Sequence, residues 1–209
     1  MKYSQKEVCM FSLFKKAKKE IKEIIDNMNL YTCCFTGHRS QKLPWKFNEV
    51  DNRYKLTRHK VKMEIINAIN RGYRYFITGM ALGFDMMCAE IVLELKKTFK
   101  DIKLECAVPC KGQELKWSEK EQKRYKSILK QADKIRCIYD NYVDGCMKER
   151  NQYMVNNSTL LIALFNGLPG GTKQTIDYAK SQGLEIIVVG PVKEVLSDEE
   201  LNEIIKENK

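Results

Sequence analysis

The chain has 209 residues and a formal net charge of +10, from 37 Lys and Arg against 27 Asp and Glu. That length suits one medium domain with a real core. No apolar run approaches the roughly 20 residues of a membrane span, and the N-terminus, MKYSQKEVCMFSLFKKAKKE, carries neither a long apolar stretch nor a small-residue cleavage site, so the sequence predicts a cytoplasmic protein with no membrane partner and no secretory leader.

Residues 11–29, FSLFKKAKKEIKEIIDNMN, place Phe11, Phe14, Ile21, Ile24, Ile25 and Met28 at helical spacing with lysines opposite. They predict an amphipathic helix packed on its own domain. An alternation follows. Residues 31–35 read as a strand, and 56–71 as a helix closed by Gly72. Residues 73–78 read as a strand and 84–98 as a helix. A strand over 102–108 stops at Pro109, and a charged helix covers 118–131. Then come a strand at 134–139, a helix at 146–156 and a nearly continuous apolar strand at 159–165. A helix over 172–182 is capped by Gly183 and leads to the strand 184–189. Ser197-Asp198-Glu199-Glu200 opens a last short helix.

Strands alternating with helices of this length mean βαβ units and a mostly parallel sheet. Runs such as TLLIALF and LEIIVV have little polar alternation and predict strands buried on both faces. The expected fold is α/β, Rossmann-like and doubly wound. Residues 1–30 form a helical extension, 31–195 the domain, and 196–209 a C-terminal helix and tail.

Eight cysteines form no C-x-x-C pair, and His38 and His59 have no zinc spacing to them, so no metal is expected. Cys33, Cys34, Cys106 and Cys137 fall in predicted buried strands, where a thiol acts as a small hydrophobe. The positive balance suits an anionic partner. Lysines alternating with glutamates in KKAKKEIKEIIDN and SEKEQKRYKSILK also suit a solvated surface.

In doubly wound sheets ligands bind beyond the carboxyl ends of the strands, and four turns there are chemically loaded. In Thr36-Gly37-His38-Arg39, glycine brings backbone close to a ligand and arginine can fork onto phosphate. Gly79-Met80-Ala81-Leu82-Gly83-Phe84-Asp85 is a tight loop opening a helix whose N-terminus attracts anions. Asp85 either caps that helix or binds a ribose hydroxyl. Gly170-Gly171-Thr172 is a backbone nest for phosphate or a simple helix cap. Arg150 and Asn151 join the site if their helix turns that face to the cleft, binding phosphate and a base or ribose.

The stretches TGHRSQKLPW, FITGMALGFDMMCAEIVLELK, AVPCKGQELKW, ADKI, GCMKERNQYMV and LPGGTKQTIDYAKSQGLEIIVV, spanning 31 to 189, resemble the YpsA-like branch of the SLOG superfamily, named for Smf/DprA and LOG proteins. The resemblance implies a Rossmann-like fold and a pocket for a nucleotide or an ADP-ribose-like derivative. By position it points to Thr36, Gly37, Arg39, Gly79, Gly83, Asp85, Arg150, Asn151, Gly170, Gly171 and Thr172, with Glu90 near the second loop and Trp117 at the pocket edge. LOG enzymes cleave nucleoside monophosphates with paired glutamates after a Pro-Gly-Gly-x-Gly-Thr loop. Here that loop reads PGGTKQTID, which leaves Asp177 as a displaced acid and Glu90 as the other catalytic candidate. DprA-type relatives bind single-stranded DNA, which the charge suits, but no basic stripe interleaved with aromatics is visible in the sequence. The leading expectation is therefore a nucleotide-binding protein. A nucleotide-processing hydrolase and a weak single-stranded nucleic-acid binder are the alternatives, and homo-oligomerisation is left open.

Overall fold

In the computed structural model, which describes residues 31–46 and 48–207, six strands pair in parallel. They are β1 (Thr32–Gly37), β2 (Tyr75–Thr78), β3 (Lys103–Cys110), β4 (Lys134–Tyr139), β5 (Leu160–Leu164) and β6 (Glu185–Val189). The sheet order is β4-β3-β2-β1-β5-β6. The helices are α1 (Asn52–Asn70), α2 (Phe84–Leu95), α3 (Glu119–Gln131), α4 (Cys146–Asn156), α5 (Gly171–Ser181) and α6 (Asp198–Glu207), with a short 3-10 turn at Ser40–Lys42. The fold is α/β and doubly wound. The expected helix over 11–29, and with it the 1–30 extension, lies outside the described residues.

Side chains alternate across the sheet as the period of two requires. Cys33, Phe35, Phe76, Leu104, Cys106, Leu160 and Ile162 face α1, α2 and α3. Cys34, Ile77, Ala107, Leu161 and Ala163 face α4 and α5. Burial holds the thiols protonated, pushing Cys34 and Cys106 up to about 12. Two expectations fail at the sheet margins. Cys137 is exposed because β4 is an edge strand, and its Ile135 is 53% exposed. LEIIVV is likewise not buried on both faces: β6 is the opposite edge, and Val188 is 52% exposed. An apolar run reads alike in a central strand and an edge strand, since only neighbours distinguish them.

Local chemistry sets the element ends. Asp51 accepts from the Arg53 amide and caps α1, while Gly72, at φ +101°, closes it. Ser197 and Glu200 form a reciprocal capping box at α6, Glu200 N–H donating to Ser197 Oγ at 3.2 Å and Ser197 N–H to Glu200 Oε2 at 2.7 Å. The third strand does not stop at Pro109. It runs to Cys110, with Val108 pairing Cys137 and Cys110 pairing Tyr139, so Pro109 occupies a register position with no Cα partner.

The chain moves outward from β1 through β2 and β3 to β4, then crosses back so that β5 lies on the other side of β1. The order therefore reverses at β1 and β5. A crevice opens at such a switch point, between the turns leaving the two strands.

Candidate functional site

Around that crevice a cavity of about 410 Å³ is lined by Thr36, Gly37, His38, Arg39, Gln41, Lys42, Ala81, Asp85, Met147, Arg150, Asn151, Gly170, Gly171 and Thr172. The turns after β1, β2 and β5 thus meet α4 in one place.

Arg150 is the centre of the site. It is 4% exposed, and its Nε donates to Asn151 Oδ1 at 2.8 Å. Asn151 Nδ2 donates to Thr175 Oγ1 at 2.9 Å, and that hydroxyl donates to the Gly171 carbonyl at 2.9 Å. A relay of three hydrogen bonds therefore ties the guanidinium to the N-terminus of α5. Both ends of the Asn151 amide are engaged in it. Asn151 acts as an orienter of Arg150, a role its sequence position did not disclose. Arg150 Nη1 is buried and has no hydrogen-bond partner. The nearest acid, Asp85, lies 3.8 Å away, which is an ion pair in charge but too long for a hydrogen bond.

Asp85 is 5% exposed and accepts from the Ala81 amide at 3.3 Å. That contact ties the loop before α2 and is not a cap of the helix, whose N-cap, Gly83, has no side-chain cap, so the helix-capping role expected from the sequence is not the one observed. Burial pushes its carboxyl up, and the charges of Arg150 and Arg39 oppose that shift. His38 is also buried. Its Nε2 accepts the Asn166 N–H at 3.2 Å and its ring lies 5.8 Å from Phe165, so the neutral imidazole carries its proton on Nδ1. Burial lowers its pKa, and the nearby Lys42 charge lowers it further.

At the opposite wall α5 begins with Gly170 as its N-cap, which offers no side-chain cap. The first amides of a helix have no partner within it. Those of Gly171 and Thr172 therefore stand beside the cavity at the positive end of the helix. A Cβ on Gly171 would meet nothing within 4 Å, and one on Gly170 only the Lys42 Nζ at 3.6 Å. This pair faces open space.

The other glycines do something else. A Cβ on Gly37 would sit 2.4 Å from the Phe84 ring. One on Gly83 would sit 2.7 Å from the Ser40 amide nitrogen, and one on Gly79 2.1 Å from Arg150 Nη1. These glycines admit protein groups: they dock the first turn onto α2 and seat the guanidinium. Neither Gly79 nor Gly83 lines the cavity. Met80 does not either: its side chain is fully buried in the core, with φ at +57°. The amides of the second loop also turn inward, Ala81 to Asp85 and Met80 to Thr78 Oγ1, so that loop is not the phosphate nest its glycines imply.

Neither catalytic candidate reaches the cavity. Glu90 accepts both Nε and Nη2 of Arg124, each at 2.6 Å, on the side of α2 facing α3. Asp177 is exposed on α5 and paired with Lys173 four residues earlier. Gln41, Lys42 and Met147 line the cavity but were not singled out from the sequence. For Lys42 a signal existed: it stands three residues after Arg39 across a 3-10 turn, where i and i+3 eclipse.

A second chamber of about 570 Å³ adjoins the first, sharing Arg39, Gln41, Ala81 and Met147, and adds Leu82, Gln113, Lys116, Trp117, Ser118, Lys120 and Glu121. Trp117 does stand at its wall. Among the described residues no group of three or more His, Cys, Asp or Glu could hold a metal.

The model of the YspA SLOG family, YpsA, matches residues 33–186. The chain belongs to this family. It is 30% identical over 122 residues to a UPF0398 protein of Brevibacillus brevis, an alignment covering 57% of this chain and 65% of that protein. It is 37% identical over 129 residues to the uncharacterized SPbeta prophage-derived protein YoqJ of Bacillus subtilis, covering 56% and 74%. Among solved structures it resembles DNA processing protein A (DprA) of Streptococcus pneumoniae, with TM-score 0.52, 13% identity, and 87% and 58% coverage. DprA of Helicobacter pylori, described for its single-stranded DNA binding mode, gives TM-score 0.54, 16% identity, and 88% and 74% coverage. The chain thus spans less than two thirds of the Brevibacillus protein and of the pneumococcal chain. At these identities the DprA likeness is one of fold. Among the described residues no helix is long and apolar enough to cross a membrane.

Proposed function

We propose that the cleft binds a nucleoside phosphate, with the phosphate between Arg150, Arg39 and the first amides of α5. One observation carries this reading: a guanidinium 96% removed from solvent keeps an N–H without an acceptor. A buried, unmatched donor costs about 1–3 kcal/mol, and such a cost is expected where a ligand supplies the missing acceptor. The acceptor must be anionic, because Arg39 and Lys42 line the same cavity against the single carboxylate of Asp85. The chain is placed in the cytoplasm on this reading.

Calorimetric titration with AMP, ADP and ADP-ribose tests it. Arg150→Lys keeps a charge beside Asp85 and loses the fork, and should weaken whichever nucleotide binds by about 10- to 150-fold. Unchanged affinity, or no nucleotide binding at all, defeats the proposal.

A second reading has its own support. Arg39, Lys42, Lys116 and Lys120 line the two chambers, and Leu115, Tyr142, Val143 and Leu168 stand exposed in the turns around them. The fold brings basic groups from the turn after β1 and the segment leading into the first turn of α3 to one cleft, with the rings of Trp117 and Tyr142 near it, and this suits a single strand. Oligonucleotide binding that is weak at physiological salt and falls steeply as salt rises fits the reading. Salt-insensitive binding opposes it.

A further inference from the structure

We infer that the second chamber is a nucleobase subsite selecting adenine and cytosine, whose exocyclic amino group stands where hypoxanthine, guanine and uracil carry a carbonyl; the inference rests on the nucleotide reading of the cleft. The two chambers share a wall at Arg39, Gln41, Ala81 and Met147. A ligand whose phosphate sits against Arg150 can therefore extend into the second chamber without leaving the cleft.

Trp117 offers a stacking surface already fixed in place. Its ring meets Tyr125 edge-on, at 5.4 Å and 84°, and its carbonyl accepts from Gln122 Nε2 at 3.1 Å. The indole is partly buried against the core, and it lines the chamber. A stacking platform tolerates every base, so discrimination has to come from polar groups.

Gln113 supplies one. Its Nε2 donates to the Met80 carbonyl and to the Tyr125 hydroxyl, both at 3.2 Å. A backbone carbonyl only accepts, so the amide cannot be turned round. The Oε1 is left as the group Gln113 offers the chamber, and among the described residues nothing donates to it. Glu121 lines the same chamber and adds a carboxylate to its wall. Its Oε2 is buried without a hydrogen-bond partner, 3.6 Å from Arg124 Nη1. Gln113 Oε1, held by its own amide's contacts, wants an N–H donor, and Glu121 on the same wall adds a negative charge that favours one. Adenine and cytosine bring an exocyclic amino group on corresponding edges, whereas guanine carries its amino group elsewhere on the ring and a carbonyl where adenine has the amino group. Hypoxanthine and uracil place a carbonyl where adenine and cytosine have that amino group, and that oxygen's lone pairs would oppose Oε1. A site built to hydrogen-bond an N–H rejects the analogue lacking it, because its own polar group is left unmatched.

Calorimetry on the full chain with AMP, GMP, CMP, IMP and UMP tests this, with ribose 5-phosphate as the probe without a base. AMP should bind more tightly than IMP and GMP, and CMP than UMP, each by about 2- to 12-fold. Ribose 5-phosphate should bind about 5- to 150-fold more weakly than AMP, reflecting the lost stack. Gln113→Met should bring the AMP-to-IMP ratio to about one, and Trp117→Ala should weaken AMP while leaving ribose 5-phosphate unchanged. If either variant melts early, the wild-type ratios alone decide. Equal binding of AMP and ribose 5-phosphate, with both lost in Arg150→Lys, overturns the base subsite and leaves the anion site standing. Equal binding of AMP and IMP overturns the amino selection. No binding by any of them overturns both readings.

Discussion

Two glycine-to-alanine changes separate the roles of the cleft glycines. In Gly79→Ala the new methyl would lie 2.1 Å from Arg150 Nη1, 2.4 Å from its Cζ and 2.7 Å from Asp85 Oδ2. Ordinary contact is about 3.5 Å, so the guanidinium must retreat by more than about 1 Å. It is held by Asn151 and enclosed, so the retreat strains the core by about 1–3 kcal/mol. That lowers the melting temperature by roughly 2–12 °C. The phosphate loses its main donor, a loss of about 1.5–3 kcal/mol, or about 10- to 150-fold in affinity. Gly171→Ala is the counterpart. Its methyl meets nothing within 4 Å and its φ lies outside the left-handed region, so stability should hold or rise by up to about 1 kcal/mol. Affinity for AMP should still fall, because the methyl enters the space assigned to phosphate. Differential scanning fluorimetry and calorimetric titration read both variants. Unchanged AMP affinity in Gly79→Ala despite a lowered melting temperature would refute the placement of phosphate on Arg150. Unchanged affinity in Gly171→Ala would refute the placement on α5.

Arg39 is exposed at the cavity wall, so Arg39→Ala should cost a phosphorylated ligand about 10- to 150-fold with no change in melting temperature; Arg39→Lys should recover part of that, and a collapse in stability would show a packing role instead. For His38, burial lowers the folded pKa below the unfolded value of about 6.5. The neutral ring's stabilisation is therefore complete above pH 6.5 and lost as pH falls through the lower folded value; melting curves from pH 7.5 to 5 should drop in wild type and drop less in His38→Gln, and parallel curves would exclude His38 as the source. Because Glu90 and Asp177 both lie outside the cavity in ion pairs, chromatography of AMP, CMP and GMP reactions should find little or no free base. Turnover abolished by Glu90→Gln or Asp177→Asn would reverse that conclusion.

How much was legible in the sequence depended on whether the signal was local. The capping box at Ser197 and the closing Gly72 involve residues within a few positions, and both elements end where the sequence places them. The convergence of the turns after β1, β2 and β5 was also readable, since a parallel sheet puts every such turn on one edge. Met80, Gly79 and Gly83 were not readable as non-lining residues. A glycine after a strand leaves room, and only the fold says whether a ligand or Arg150 fills it. Glu90 was misleading for the same reason: its distance from the second loop is short along the chain, but one helical face turns it to Arg124. Lys42 was legible only through its spacing to Arg39 across the 3-10 turn, and Gln113 came from a turn whose path no periodicity encodes.

The site's electrostatics follow from how Arg150 is held. A guanidinium at the end of a flexible side chain would meet phosphate only after losing rotamer freedom, which weakens binding. Here Asn151 and Thr175 fix it to the first turn of α5 before any ligand arrives. The amides of that turn and the guanidinium therefore present themselves as one rigid unit, in a geometry set by the packing of α4 against α5 over the sheet. Asp85, 3.8 Å away, tempers the buried positive charge without occupying the free Nη1. A closer carboxylate would saturate the arginine and compete with the ligand, while none would leave a bare cation in the core at several kcal/mol of cost. The glycine at 79 makes this intermediate spacing possible, since any side chain there would push the arginine away from α5 and out of line with the amides it serves beside.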